Sequence, residues 1–321
     1  MTWIVWRQQR PMFLTLAIGL LVGVVAVVLL RAGMVADLTA RNLADCVTAG
    51  VKSCRGNALS EFQRTWYDRM QLAQVGVIAL PVLIGVFIGA PLFAREFEQG
   101  THALAFTQSV SRTRWTATKL LVAAVPALVF VGGFQFAVHS WLDAAGELGP
   151  LGLGPYYFTT FESAGVSPIA YTLFAYTFGV FAGAVFRRTL VAMTLTLGLF
   201  VVVRFALNRS RELMITPTRV TSDDPTKPQL AEPGPLQVDG GYLDASGAVV
   251  VDAGSKMNCS SAAGNDVDLL ACYRRNGIAQ SFMDVIPVDQ ATTLHLLEAS
   301  VFAGLAVVFV LGSVWAVRRQ A

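Results

Sequence analysis

Six long apolar runs, at 11–31, 72–94, 120–138, 168–186, 189–207 and 294–317, alternate with polar stretches of very unequal size. Each run holds about 20 residues, the length a helix needs to cross the hydrocarbon of a bilayer. The pattern predicts an all-α integral membrane protein with about six transmembrane helices. Ahead of the first run, residues 1–10 mix Trp3 and Trp6 with Arg7 and Arg10, which suits an interfacial elbow helix at headgroup depth. The run at 72–94 is interrupted by Pro81 and carries Gly76, Gly85 and Gly89, so a kink and close helix contacts are expected there.

The polar stretches differ in character. Residues 32–71 end in a helical piece from Ala58 that runs into the second span, and 139–167 is a Gly/Pro-rich hairpin or loop with interfacial Tyr156, Tyr157, Phe158 and Phe161. The largest, 208–290, contains the breaker clusters TSDDPTKPQ and AEPGP, a hairpin-like GGYLDASGAVVVD turning at Asp244 to Gly247, and a helical piece DVDLLACYRRNG stopped by Gly277. It reads as a small folded cap of mixed structure. The remaining stretch, 95–119, is charged and amphipathic, with Ser111 a good N-cap for the helix that follows.

Charge fixes the sidedness. Arg7 and Arg10, Arg95, Arg112 to Lys119, Arg187 and Arg188, and Arg318 and Arg319 all fall on one side of a six-span topology, which the positive-inside rule makes the cytoplasm for both termini. Arg204, near the outer end of the fifth span, is expected to snorkel outward with Arg209 and Arg211. A cleaved signal peptide fits less well than an uncleaved anchor. The first run exceeds an h-region of about 7–15 residues, and Arg31 follows it without a small-x-small site.

With 54% hydrophobic and 14% charged residues and a mean hydropathy of +0.56, the chain is too apolar for a soluble domain of its length. A net charge of +3, scattered at span ends, implies no nucleic-acid partner. An excess of Arg over Lys, with abundant Ala, Val and Gly, suggests a GC-rich bacterial genome. The four cysteines, Cys46, Cys54, Cys259 and Cys272, all fall in the outer regions. Three pairings are possible, and the sequence-local one, Cys46 with Cys54 and Cys259 with Cys272, needs no contact between those regions. Structural disulfides are expected on an oxidising face; neither C-x-x-C spacing nor a nearby His supports a metal site.

Enzymatic signatures are absent. The chain has no G-x-x-x-x-G-K-[ST] loop, no G-x-S-x-G elbow and no H-E-x-x-H motif, so no catalytic residue and no cofactor is assigned to it. Three polar groups stand within or at the edge of the spans: Gln135, and the helically spaced pair His295 and Glu298. They are expected as interhelical polar contacts or as part of a translocation path.

The run E-F-E-x-G-T at 96–101, followed about ten residues later by V-S-R-x-R-W and a lysine, resembles the segment between the second and third spans of ABC-2 type transporter permeases. The order of spans is similar as well, including FGVFAGAVFRRT at 178–189. The resemblance implies a bacterial exporter whose permease chains pair, as a homodimer in preference to a heterodimer with a related permease. It also implies two separate ATPase subunits, which bind the ATP and Mg. It further implies that Glu96, Phe97, Glu98, Gly100 and Thr101, supported by Arg112 and Arg114, form a coupling helix contacting the ATPase. Held by anionic lipid, the same stretch would instead be an interfacial helix on the inner leaflet. A membrane-anchored enzyme, or a peptide-binding immunity or sensor protein acting through the outer region, is the alternative function.

Overall fold

In the computed structural model, which describes residues 2–49, 56–100, 111–226, 234–251 and 266–319, the first apolar run belongs to one helix, α1 (Thr2–Ala40). The elbow expected at 1–10 is therefore continuous with the first span. Residues 2–10 contain no Gly, Pro or Asn to stop a helix, and Pro11 removes a donor while keeping a helical φ. After α1 come α2 (Ala44–Ala49), α3 (Asn57–Ile84), a π-helical stretch (Gly85–Gly89), α4 (Pro91–Glu98) and α5 (Arg112–Ala145). Then follow α6 (Phe158–Ser163), α7 (Ser167–Phe186), α8 (Thr189–Ser210), strands β1 (Thr218–Ser222) and β2 (Leu236–Leu243), α9 (Asp266–Arg275), β3 (Gln280–Ile286) and α10 (Ala291–Arg318). Thr101, the amphipathic piece at 102–108, Cys54 and Cys259 lie outside the described residues.

Among the described residues six helices are long and apolar enough to cross a membrane: Gln9–Ala40, Asn57–Glu98, Thr113–Leu148, Ser167–Phe186, Thr189–Leu213 and Val288–Arg318. They coincide in number and order with the six apolar runs. Leu21 and Leu29 on α1, Phe136 on α5, Leu190 and Phe205 on α8 and Leu311 on α10 are each more than 60% exposed. So much outward apolar surface is foreign to a water-soluble monomer and natural to a lipid-solvated one.

The chain divides into two units, one of Met1–Gly152, Tyr157–Arg209 and His295–Ala321, the other of Leu153–Tyr156 and Ser210–Leu294. In the first, α7 is the central helix: 67% of its most apolar window is buried, against 6% for α1. Its neighbour is the second span, and the contact is a seam of glycines. Helix α3 passes through Pro81 and widens into the π stretch four residues later, so the interruption expected at Pro81 takes the form of a bulge at Gly85–Gly89. A Cβ on Gly85 would stand 2.7 Å from the Ala175 carbonyl oxygen, and one on Gly179 2.5 Å from that of Gly85. Only glycine lets the two backbones approach this closely.

Apolar clusters flank the seam. At one end Met34 and Leu38 of α1 pack with Phe62, Trp66 and Met70 of α3 and Trp141 of α5. There Asp37 accepts hydrogen bonds from Trp66 Nε1 (2.9 Å) and Arg41 Nε (2.8 Å), and Arg41 Nη1 also reaches Glu61 (2.6 Å), tying the end of α1 to the start of α3. Along α7 an aromatic ladder meets α10, with Phe174 and Phe302 rings 5.2 Å apart and Phe178 and Phe309 rings 4.9 Å apart.

The second unit holds a three-stranded antiparallel sheet in the order β1-β3-β2. Arg219 and Asp284 stand directly opposite across β1 and β3 and form a bidentate pair at 2.8 and 2.7 Å. Those bonds hold the Asp284 carboxyl below the usual carboxylate range. The turn at Asp244 to Gly247 forms as expected, with Gly247 at φ 84° and Ser246 and the Ala248 amide bonded to the Asp244 carboxylate, which lowers its pKa. Among the described residues the returning segment makes a single bridge, Leu243 to Val249, and β2 finds its ladder on β3 instead. Gly277 closes α9 at φ 77°. Among the described cysteines, Cys46 and Cys272, neither is a free thiol.

If the glycine seam sets the helix spacing, Gly179→Val destabilises the detergent-solubilised protein by about 1–3 kcal/mol or more, the usual cost of overpacking. Gly198→Val, where nothing lies within 4 Å, leaves the thermal midpoint unchanged. Equal midpoints for the two variants would show that the seam is not a constraint.

Candidate functional site

Two clusters of polar side chains are built into the first unit, near opposite ends of α7. The first gathers around the segment that joins the second span to the third. Helix α4 ends at Glu98 and Gln99, and Gly100 turns out of it at φ 67°, with its amide bonded to the Phe97 carbonyl at 3.3 Å. Helix α5 begins with Ser111 as N-cap, its hydroxyl accepting from the Arg114 amide at 3.4 Å.

Within this cluster Glu96 forms an ion pair with Lys119. Lys119 is 4% exposed, donates to the Leu92 carbonyl at 3.1 Å, and lies about equally near the rings of Trp115 (5.1 Å) and Phe93 (5.4 Å). A buried ammonium needs such company, because desolvation otherwise neutralises it. Glu98 reaches across to α8 and accepts from both the Thr189 amide (2.9 Å) and its hydroxyl (2.6 Å), placing a carboxylate on the N-terminus of that helix. Arg318, at the end of α10, donates to Thr113 Oγ1 at 2.9 Å. Four span ends are thus cross-linked at one face: the second to the third and the fifth, and the third to the sixth.

The residues expected to contact a partner therefore divide. Glu96 and Glu98 are engaged inside the chain, and Phe97 is half-buried beside Phe93 with ring centres 6.4 Å apart. Gly100 and Arg114 are exposed, as is Arg95. Thr101 and the Arg112 side chain lie outside what is described.

The second cluster lies where α6, α7, α8 and α10 meet. Arg204 pairs with Glu162 and stands 3.5 Å from Glu298, with the two carboxylate side chains 1% and 0% exposed. Its guanidinium stacks over Tyr171 at 3.5 Å. The outward snorkelling expected of Arg204 does not occur, because two buried carboxylates and an aromatic face lie closer than bulk water. His295 shares a 2.7 Å hydrogen bond with Ser167 Oγ and stacks on Phe161 at 3.9 Å. Gln135 donates to the Gly165 carbonyl at 2.7 Å, fastening α5 to the turn between α6 and α7. Glu162 is the member that sequence reasoning does not find: an acid in an aromatic, Gly-rich connection carries no signal of burial.

The family described as ABC-2 membrane transporter related matches residues 17–211. The chain belongs to that family. The match runs from the first span through the fifth and takes in the whole 95–119 segment, Glu162 and Arg204. No curated protein and no solved structure matches the chain. It is a multi-pass membrane protein, and by family a component of a membrane transporter. In this ABC-2 protein Gln135, His295 and Glu298 each contact a residue of another helix or its flanking turn. Among the described residues no group of three or more His, Cys, Asp or Glu is placed to hold a metal ion.

Replacing Arg204 by Met leaves Glu162 and Glu298 buried without that guanidinium, a change worth about 3–5 kcal/mol for a broken buried pair. Thermal unfolding in detergent is expected to show a marked loss for Arg204→Met and a smaller one for Arg204→Lys. A midpoint equal to that of the unaltered protein would remove the cluster from the determinants of the fold.

Proposed function

We propose that this chain is the permease subunit of an ABC-2 type exporter in a bacterial cytoplasmic membrane, lining the translocation path and driven by separate ATPase subunits. The observation that carries the reading is the cross-linked face around α4 and the start of α5. A partner pressing on the segment between the second and third spans there acts at once on the fifth span through Glu98 and on the third through Glu96 and Lys119. The same end carries Arg95, Arg114, Arg187, Arg188, Arg318 and Arg319, which supports its placement in the cytoplasm together with both termini.

On this reading the chain binds no cofactor and catalyses nothing; two ATPase subunits hold ATP and Mg. Two permease copies make the path, as a homodimer. Gly100, Thr101, Arg112 and Arg114, with Phe97 behind them, form the contact, while Glu96 and Glu98 pass its movement on. The cysteines pair locally, Cys46 with Cys54 and Cys259 with Cys272, as disulfides of the extracytoplasmic regions.

Co-expression of the tagged chain with candidate ATPases, followed by extraction in mild detergent, is expected to recover a soluble ATPase at two copies per two permeases with vanadate-sensitive activity. Gly100→Pro forbids the positive φ at that position. It is expected to lower ATPase recovery by about tenfold, the consequence of losing some 1.4 kcal/mol, while the chain still inserts. A solitary chain under these conditions would sink the reading in favour of a protein acting through its outer region. Separately, alkylation of the denatured, unreduced protein should label none of the four cysteines; labelling of all four would refute the pairing.

A further inference from the structure

A groove of about 820 Å³ opens on the side of the first unit between α1, the second span and α5. This is within the range of small-molecule sites, about 300–1,000 Å³. One end is polar, lined by Gln9, Arg95, Glu96, Gln99 and Lys119; the rest is apolar, with Leu16, Leu83, Phe87 and Phe130 among its walls.

Three features of the groove point to an occupant. Gln9 is only 7% exposed, yet neither its Oε1 nor its Nε2 has a hydrogen-bond partner among the described residues. A buried amide without a partner costs the whole of its desolvation. Phe87 and Leu83 on the wall are 63% and 45% exposed. Finally, Lys119 and Glu96 neutralise each other, so the exposed Arg95 leaves the polar end with an excess positive charge.

We infer that the groove binds an anionic phospholipid drawn from the adjoining leaflet, with its phosphate at the polar end and one acyl chain along the apolar wall. The Gln9 amide donates Nε2–H to a phosphate oxygen, and Arg95 supplies the countercharge. The chain covers Leu16, Leu83 and Phe87 and removes their surface from the open groove. This deepens the permease reading, on which it rests for naming the leaflet as the cytoplasmic one.

The test uses the full chain in phosphatidylcholine nanodiscs doped with a photoactivatable, tail-labelled phosphatidylglycerol, with adducts mapped by mass spectrometry. Adducts are expected on Leu16, Leu83 and Phe87, displaced by unlabelled phosphatidylglycerol and not by added phosphatidylcholine. Gln9→Leu is expected to cut them by about tenfold, the effect of one lost hydrogen bond to a charged group. Thr15→Trp, which fills the groove, should abolish them; both variants are scored only as monodisperse protein. Groove adducts no more frequent than those at outward-facing Phe136 and Val308, or insensitive to Gln9→Leu, would mean bulk lipid contact and overturn the inference. Absence of groove adducts would overturn it too. The assay contains no ATPase, so labelling retained without ATPase recovery removes the permease reading alone, and the converse removes the lipid site alone.

Discussion

The backbone contact between the second span and α7 is the constraint on which the membrane-spanning unit depends. Lipid gives helices no hydrophobic reason to associate, so van der Waals contact and polar pairing must hold them together. Here glycine faces backbone from both sides, at Gly85 and Gly89 on the second span and Gly179 and Gly183 on α7. The π stretch follows from the same need: its wide turn presents Gly85 and Gly89, both buried, to the neighbouring helix. The bulge keeps its hydrogen bonding by an i to i+5 link, the Ala90 amide to the Gly85 carbonyl at 2.9 Å. With the spacing of these two helices set, the aromatic ladder of α7 and α10 and the cluster of α1, α3 and α5 pack on either side.

Buried charge fixes position more than it adds stability. An ion pair moved out of water recovers little more than its desolvation cost, but losing one partner is severe, so such pairs select one arrangement against its neighbours. Glu96 with Lys119 and Arg204 with Glu162 and Glu298 stand near opposite ends of α7, and each joins separate helices. Sliding one helix by a turn, about 5.4 Å, would part both sets. The unit is thus pinned at two ends by electrostatics and along its middle by sterics.

The spans were legible because runs of about 20 apolar residues have few other uses. Ser111 as N-cap, the turn at Asp244 and the stop at Gly277 follow from local chemistry, which a sequence carries in full. What depends on distant partners was not legible. The fate of Arg204 was decided by Glu162, 42 positions away by the numbering of the two residues and in an aromatic, Gly/Pro-rich connection. The elbow merged with α1 because no residue before Pro11 breaks a helix. Strand β3 was hidden because QSFMDVI, buried on both faces, lacks the alternation that marks a half-exposed strand.

The placement of Glu96 and Glu98 changes what the 95–119 segment would do under the proposed function. Two acids just past an apolar run read naturally as partner-facing, but here each is consumed within the chain, one by a buried ammonium and one by a helix N-terminus. Under the proposed mechanism they transmit displacement between spans, and the docking chemistry falls to the exposed residues beyond them. Rigid transmission suits this arrangement, since a 2.6 Å and a 2.9 Å bond from one carboxylate to Thr189 resist both shear and rotation better than a single contact. A push on α4 therefore moves α8 directly and, through the glycine seam, leans on α7. Helix α8, with 17% of its most apolar window buried, and α7, with 67%, would respond to the same input.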